Sequence, residues 1–264
     1  MTDATRSFLL TSGILPLALI GTMVIMLILG RWVGMRIGAQ RSHSEDKTEE
    51  IMVGAIFGLL ALIVAFSFSG ASDRYDNRRE MIAKEYDAIG TAYGSVDLLA
   101  DKDQAMLRAD FTKLVDERLV LYKHAADTKA YEIRLDQFDV TRNKLWADAV
   151  ASVKNTPFPE KLVASQILPQ ISDMNSAIDT QRFAMKMHPP QAVTISLFAL
   201  ILIGAFIAGY NLGLTNHHDW LLIILFVSLM AGFVYLTINL EHPLIGFIGL
   251  DDFEIELVRL RQTM

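Results

Sequence analysis

Apolar and polar positions fall into long blocks along this chain. Four apolar runs stand out: Phe8–Leu29, Ile51–Ala71, Ala192–Tyr210 and Trp220–Leu240, and none of them holds Asp, Glu, Lys, Arg or His. A helix of about 20 apolar residues crosses a bilayer core, so each run predicts a membrane helix. The stretch from Asp73 to His188 is different. It has no Asn-Gly or Asp-Gly turn and no period-two alternation, which argues against strands. Its apolar residues recur at helical spacing with charged residues opposite. Breaks are expected near Asp101–Asp103, Ala125–Thr128 and Asn155–Pro159. The arms between them carry stripes such as Leu107, Phe111, Leu114, Val115, Arg118 and Tyr122, then Phe138, Leu145, Trp146, Ala149 and Val153, then Leu162, Ile167, Ile171, Met174 and Ile178. His188-Pro189-Pro190 stops the last arm before the third membrane run.

The pattern predicts an all-α membrane protein: four transmembrane helices, with a long-helix cytoplasmic bundle inserted between helices 2 and 3. The expected segments are a transmembrane hairpin over 1–72, a cytoplasmic helical domain over 73–188, a second hairpin over 189–241 and an acidic cytoplasmic tail over 242–264. Pro16 falls in the first turns of the first helix, where a missing N–H costs least. Arg6 precedes that helix as in a secretory leader, but the run is too long for a leader and no small-residue cleavage site follows. A retained helix is therefore expected.

Ile51 to Leu99 is the central element. Its apolar run crosses a small-residue patch, Ser67–Ser72, and passes without a proline into Asp73-Arg-Tyr-Asp-Asn-Arg-Arg-Glu80. Ile82, Tyr86, Ile89, Tyr93 and Val96 then follow at the 3–4 spacing of a helix–helix seam. One helix is expected to leave the membrane and continue as an arm. Leu62, Phe66, Ser69, Asp73, Asn77 and Glu80 share another face by 3–4 spacing. That face grades from apolar through hydroxyl to acidic. It suits a dewetting constriction opening into an acidic vestibule, and it equally suits the solvated face of an exposed helix. Gly54, Gly58 and Ala61 read as small-residue contacts for an oligomer or for packing within the chain. Gly90, Thr91 and Ala92 suggest a close approach to the arm.

Composition narrows the functions. The chain of 264 residues is 52% hydrophobic, carries a net charge of −6 and has no cysteine. There is no basic excess for nucleic acid, and no disulfide, thiolate nucleophile or Cys-ligated metal is available. No serine elbow, phosphate loop or metal motif occurs, so no enzyme activity and no cofactor are expected. Four crossings put both termini and the helical domain on one side. Arg6, Arg74, Arg78, Arg79, Lys84, Arg182 and Lys186 lie near membrane ends on that side, and Arg31, Arg36, Arg41 and Lys47 on the other. The positive-inside rule then places the helical domain in the cytoplasm of a cell (inner) membrane protein.

Three further clusters have more than one reading. Arg74, Arg78 and Arg79 could hold lipid phosphate or an anion, or simply set topology. His217-His218-Asp219 is a metal or pH candidate, or a polar loop. Asp251, Asp252 and Glu254 are Ca²⁺ candidates, or part of a solvated tail lacking the usual calcium-loop spacing.

From the second membrane helix onward the chain resembles the bestrophin-like family of multi-pass membrane proteins. The residues that carry this are Phe66-Ser-Phe-Ser-Gly-Ala71, Arg79, Glu85-Tyr-Asp-Ala-Ile-Gly-Thr-Ala-Tyr93, Leu107-Arg108, Val115–Leu119, Tyr122, Leu145-Trp146, Arg182, Pro189-Pro190, Gly209-Tyr210, Glu241-His-Pro243 and Gly246. More distantly, Arg74-Tyr75 with Arg79, and Glu241-x-Pro243 followed by Asp251–Glu254, are similar to elements of true bestrophins. Those are pentameric ion channels whose second membrane helix lines a narrow neck. The resemblance implies a homo-oligomeric, pentameric ion channel in the lipid bilayer, its pore lined by Leu62, Phe66, Ser69, Asp73 and Asn77. The acidic face adds a weak cation preference. Gly58, Ala61 and Ala65 dilute the large apolar residues expected of such a neck. The alternative is a non-conducting scaffold or sensor whose cytoplasmic helices bind partners.

Overall fold

The computed structural model describes residues 14–38, 46–124, 128–215, 220–241 and 251–264. Within them the regular structure is helical, and no strand occurs among the described residues. In chain order the helices are α1 (Ile14–Gly38), α2 (Asp46–Gly94), α3 (Asp101–Lys123), α4 (Thr128–Asn155), α5 (Glu160–Ala164), α6 (Ile167–Lys186), α7 (Gln191–Thr215), α8 (Trp220–Glu241) and α9 (Asp251–Thr263), with a 3₁₀ turn over Ser95–Leu98 after α2. Four stretches are long and apolar enough to cross a membrane, one each in α1, α2, α7 and α8. The protein is a multi-pass membrane protein.

The chain divides into two compact units. The apolar unit holds α1, α2 as far as Asp73, α7 and α8. Its core joins Leu19, Met23 and Leu27 of α1, Leu60 and Val64 of α2, Leu197, Ile201 and Ala205 of α7, and Val227, Ala231 and Val234 of α8. Two edge-to-face pairs, Phe57–Phe226 and Phe68–Phe233, each with ring centres 5.9 Å apart, hold α2 to α8. Helices α1 and α7 meet backbone to backbone. A Cβ on Gly30 would lie 2.0 Å from the Phe206 carbonyl oxygen, and one on Gly209 would lie 2.0 Å from that of Leu27. Gly34 and Gly213 are just as tightly confined, at 2.2 Å from the Tyr210 oxygen and 2.3 Å from that of Arg31. Small residues four apart on both helices allow this approach, which replaces the hydrophobic driving force that lipid removes.

Among the described residues the first apolar helix runs on past Leu29, and the stretch apolar enough to cross a membrane covers Leu17–Ile37; residues 8–13 of the uncharged run lie outside the described residues. Trp32, Val33, Gly34 and Met35 continue the apolar helix between Arg31 and Arg36. Long arginine stems at a helix end reach the interface without leaving the apolar surface.

The helical unit holds α2 from Arg74, then α3 to α6, and α9. Its core contains the predicted seam: Ile82, Ile89 and Val96 are buried, with Tyr86 and Tyr93 packed against them. Leu107, Phe111, Leu114, Val115, Phe138, Leu145, Ile167, Ile171, Met174 and Ile178 complete it. Leu162 and Trp146 do not join it. Leu162 is exposed on the short α5, which breaks from α6 at Ser165-Gln166, and Trp146 lies at the edge of its stripe. The stretch read as an acidic tail forms α9, whose Leu257 and Leu260 are buried in this core. Arg261 holds Asp116 of α3 at 2.6 and 3.1 Å, and the Tyr93 hydroxyl donates to the Met264 carbonyl at 2.8 Å. Apolar residues two and five positions after Ile255 make α9 amphipathic, which the acidic start of the segment conceals.

Candidate functional site

Helix α2 is continuous over 49 residues, and its side-chain azimuths can be followed from Ile51 onward. One arc is buried: Leu60, Val64, Ala71, Arg78, Ile82, Glu85, Ile89 and Ala92. The opposite arc is open. Leu62 is 50% and Phe66 67% exposed, and Ser69, Asp73, Asn77 and Glu80 are exposed on the same face. All five residues expected to line a pore therefore fall on one unpartnered stripe. Beside them Gly54, Gly58 and Ala61 are exposed too. A Cβ built on Gly54 or Gly58 meets nothing within 4 Å. Gly54 and Gly58 thus make no close contact with the described residues, and the close glycine packing falls to α1 and α7.

The three arginines after the apolar run separate. Arg79 is exposed, its guanidinium carbon 6.0 Å from the centre of the Tyr75 ring. Arg74 is half-buried and engaged in the fold. Arg78 departs from the expected lipid or anion contact, because it is 1% exposed. Its Nη2 donates to the Met187 carbonyl at 2.7 Å and its Nε to that of Ala184 at 3.4 Å. These carbonyls close the C-terminal end of α6, where helix oxygens lack partners within the helix and a cation is favoured.

Two turns along the same buried face lies a polar cluster that joins α2 to Arg118 and Tyr122 of the α3 stripe. Glu85 is 0% exposed. Its two oxygens accept from Arg118 Nε at 2.6 Å and Nη2 at 2.8 Å. Nη2 also donates to Gln181 Oε1 at 2.6 Å, and Gln181 Nε2 donates to the Tyr122 hydroxyl at 3.0 Å. Arg118 lies against the rings of Tyr122 and Phe138, 5.0 and 5.6 Å from their centres. Burial works against its charge, but the Glu85 carboxylate together with the Tyr122 and Tyr131 phenols more than offsets this and raises the guanidinium pKa. Burial likewise pushes the Tyr122 phenol up, against the pull of Arg118. The cluster is a fixed, charged tie between α2, α3 and α6. Its signals in the sequence are an acid, Glu85, on the seam side of α2 and a cation, Arg118, within the apolar stripe of α3.

His217, His218 and Asp219 lie outside the described residues. So do the side chains of Asp251, Asp252 and Glu254, although their backbone forms the first turn of α9. Among the described residues no cluster of His, Asp and Glu could hold a metal ion.

No curated protein and no solved structure matches the chain. The family model of the bestrophin-like domain matches residues 18–252. The match takes in α1, beyond the region from the second membrane helix on which the sequence resemblance rests. The chain belongs to the bestrophin-like family.

Proposed function

We propose that the protein is a homo-oligomeric, bestrophin-like ion channel, with α2 lining the pore and a weak preference for cations. Family membership points to a channel-related role. The observation that carries the finer reading is the open stripe of α2, apolar at Leu62 and Phe66, hydroxylated at Ser69 and acidic from Asp73 to Glu80. In a closed ring of copies this stripe turns to the axis. Phe66 then forms the narrowest apolar ring, where water is least stable, and Asp73 begins a zone that concentrates cations. The exposed Gly54, Gly58 and Ala61 beside it suit close packing against the next copy. A pentamer, the arrangement of the bestrophin resemblance, closes such a ring. In this reading the helical unit is a cytoplasmic vestibule, and the protein sits in the cell (inner) membrane with both ends in the cytoplasm.

The test is current from purified protein in planar bilayers, alongside the size and symmetry of the detergent-solubilised particle. A ring with an axial path and discrete currents is expected. Absence of current above the lipid background would sink the proposal. A dimer without an axial path would favour a membrane scaffold.

A further inference from the structure

The side of α1 that faces away from its glycine seam has a layered chemistry. Gly30 and Gly34 are taken up by α7. About half a turn round, Ile25, Ile28 and Leu29 are exposed, and the stripe ends in Trp32, 48% exposed, and Arg36. Arg36 stacks on Trp32 one turn earlier, its guanidinium carbon 3.8 Å from the ring centre. It makes no hydrogen bond or ion pair with any described residue. No Asp or Glu occurs in α1 or α7. Arg36 lies in the last turn of α1, near the C-terminal end of the described stretch that is apolar enough to cross a membrane. There the helix rises about 1.5 Å per residue out of the hydrocarbon core into the headgroup layer.

We propose that Trp32 and Arg36 form a headgroup site for an anionic phospholipid, with the acyl chains lying along Ile25, Ile28 and Leu29. The stack sets the plane of the guanidinium and leaves its forked donors for two phosphate oxygens, a match that an ammonium lacks. The indole N–H is a further donor at the same depth. A zwitterionic headgroup brings its own cation to compete with Arg36, so charge selects the anionic lipid. The site is independent of conduction, because it lies on a helix outside the proposed pore.

Trp32 reports on its own site. The full chain carrying Trp146→Phe and Trp220→Phe keeps it as the single tryptophan. This protein is reconstituted in phosphatidylcholine vesicles containing a minor fraction of brominated phosphatidylglycerol or, separately, of brominated phosphatidylcholine. Phosphatidylglycerol should quench Trp32 more strongly, reflecting a local enrichment of about five-fold, the scale one basic side chain supplies at an anionic surface. The preference should fall with added salt, vanish in Arg36→Gln and survive in Arg36→Lys at reduced strength. Equal quenching by both lipids, or a preference unchanged by Arg36→Gln, would overturn the proposal. Absence of quenching by either lipid would overturn it as well, showing a second copy of the chain over this face.

Discussion

Glu85 and Arg118 meet through two parallel charge-assisted hydrogen bonds of 2.6 and 2.8 Å, with Glu85 sealed from solvent. Removing one partner strands a buried charge, at a cost of about 3–5 kcal/mol, whereas replacing both with apolar residues is far cheaper. Arg118→Met should therefore destabilise the protein severely. Glu85→Leu combined with Arg118→Met should recover most of the loss, read by thermal unfolding in detergent. Equal destabilisation by the single and double variants would mean the two residues are not coupled.

Glycine substitutions should separate by helix. Gly209→Ala drives a methyl into the Leu27 carbonyl, 2.0 Å from its oxygen, and should abolish recovery of folded protein. Gly90→Ala places its methyl 3.7 Å from Leu260 Cδ1, an ordinary contact. It should leave the fold intact and raise stability by up to about 1 kcal/mol through helix propensity. Monodisperse yield and melting temperature check both.

The docking of α9 rests on Leu257, which is fully buried. Leu257→Ala should cost about 2–5 kcal/mol of local packing. The variant should release the C-terminal helix to limited proteolysis while α3 and α4 stay protected.

Lys144 bridges Asp110, at 2.7 and 2.9 Å, and Asp148, at 2.7 Å. Its hydrogen bond holds the Asp148 carboxyl below the usual carboxylate range, and the two carboxylates raise the Lys144 ammonium. A depressed carboxyl stabilises above its unfolded pKa and loses this as pH falls through the folded one. A raised ammonium stabilises below its unfolded pKa and loses this as pH rises through the folded one. The wild-type advantage over Lys144→Met should therefore be flat through neutral pH and fade at both extremes. Lys144 is half exposed, so the advantage should stay below about 1 kcal/mol. Unfolding free energy measured against pH tests the profile.

On the channel reading, Phe66→Ala widens the apolar ring and should raise or deregulate flux. Asp73→Asn removes one acid per copy and should shift the reversal potential in a salt gradient toward weaker cation preference. A conducting Phe66→Ala variant with wild-type current levels would place the constriction elsewhere.

Much of the architecture is legible in hydrophobic pattern alone. Four apolar blocks mark the spans, and Ile82, Tyr86, Ile89, Tyr93 and Val96 mark the packed side of α2, because apolar periodicity reports burial directly. The open stripe through Leu62, Phe66, Ser69, Asp73 and Asn77 follows as the complement of that side. Charged residues mislead the same reasoning. Arg31 interrupts the uncharged run although helix α1 continues through it to Gly38, and Arg78 and Glu85 carry charge into a core.

The sequence by itself determined the helical class, the order of membrane and polar blocks, and the periodicity of each helix, since these depend only on local spacing and transfer from water. Only the tertiary structure decided which charges are buried and what satisfies them. Arg78 finds carbonyls 106 and 109 residues away, and Glu85 finds an arginine 33 residues away. It also decided which glycines bring helices together. Gly30, Gly34, Gly209 and Gly213 face a neighbouring backbone, while Gly54 and Gly58 face open space. A small residue permits close approach but cannot name its partner, and that choice depends on contacts distant in the chain.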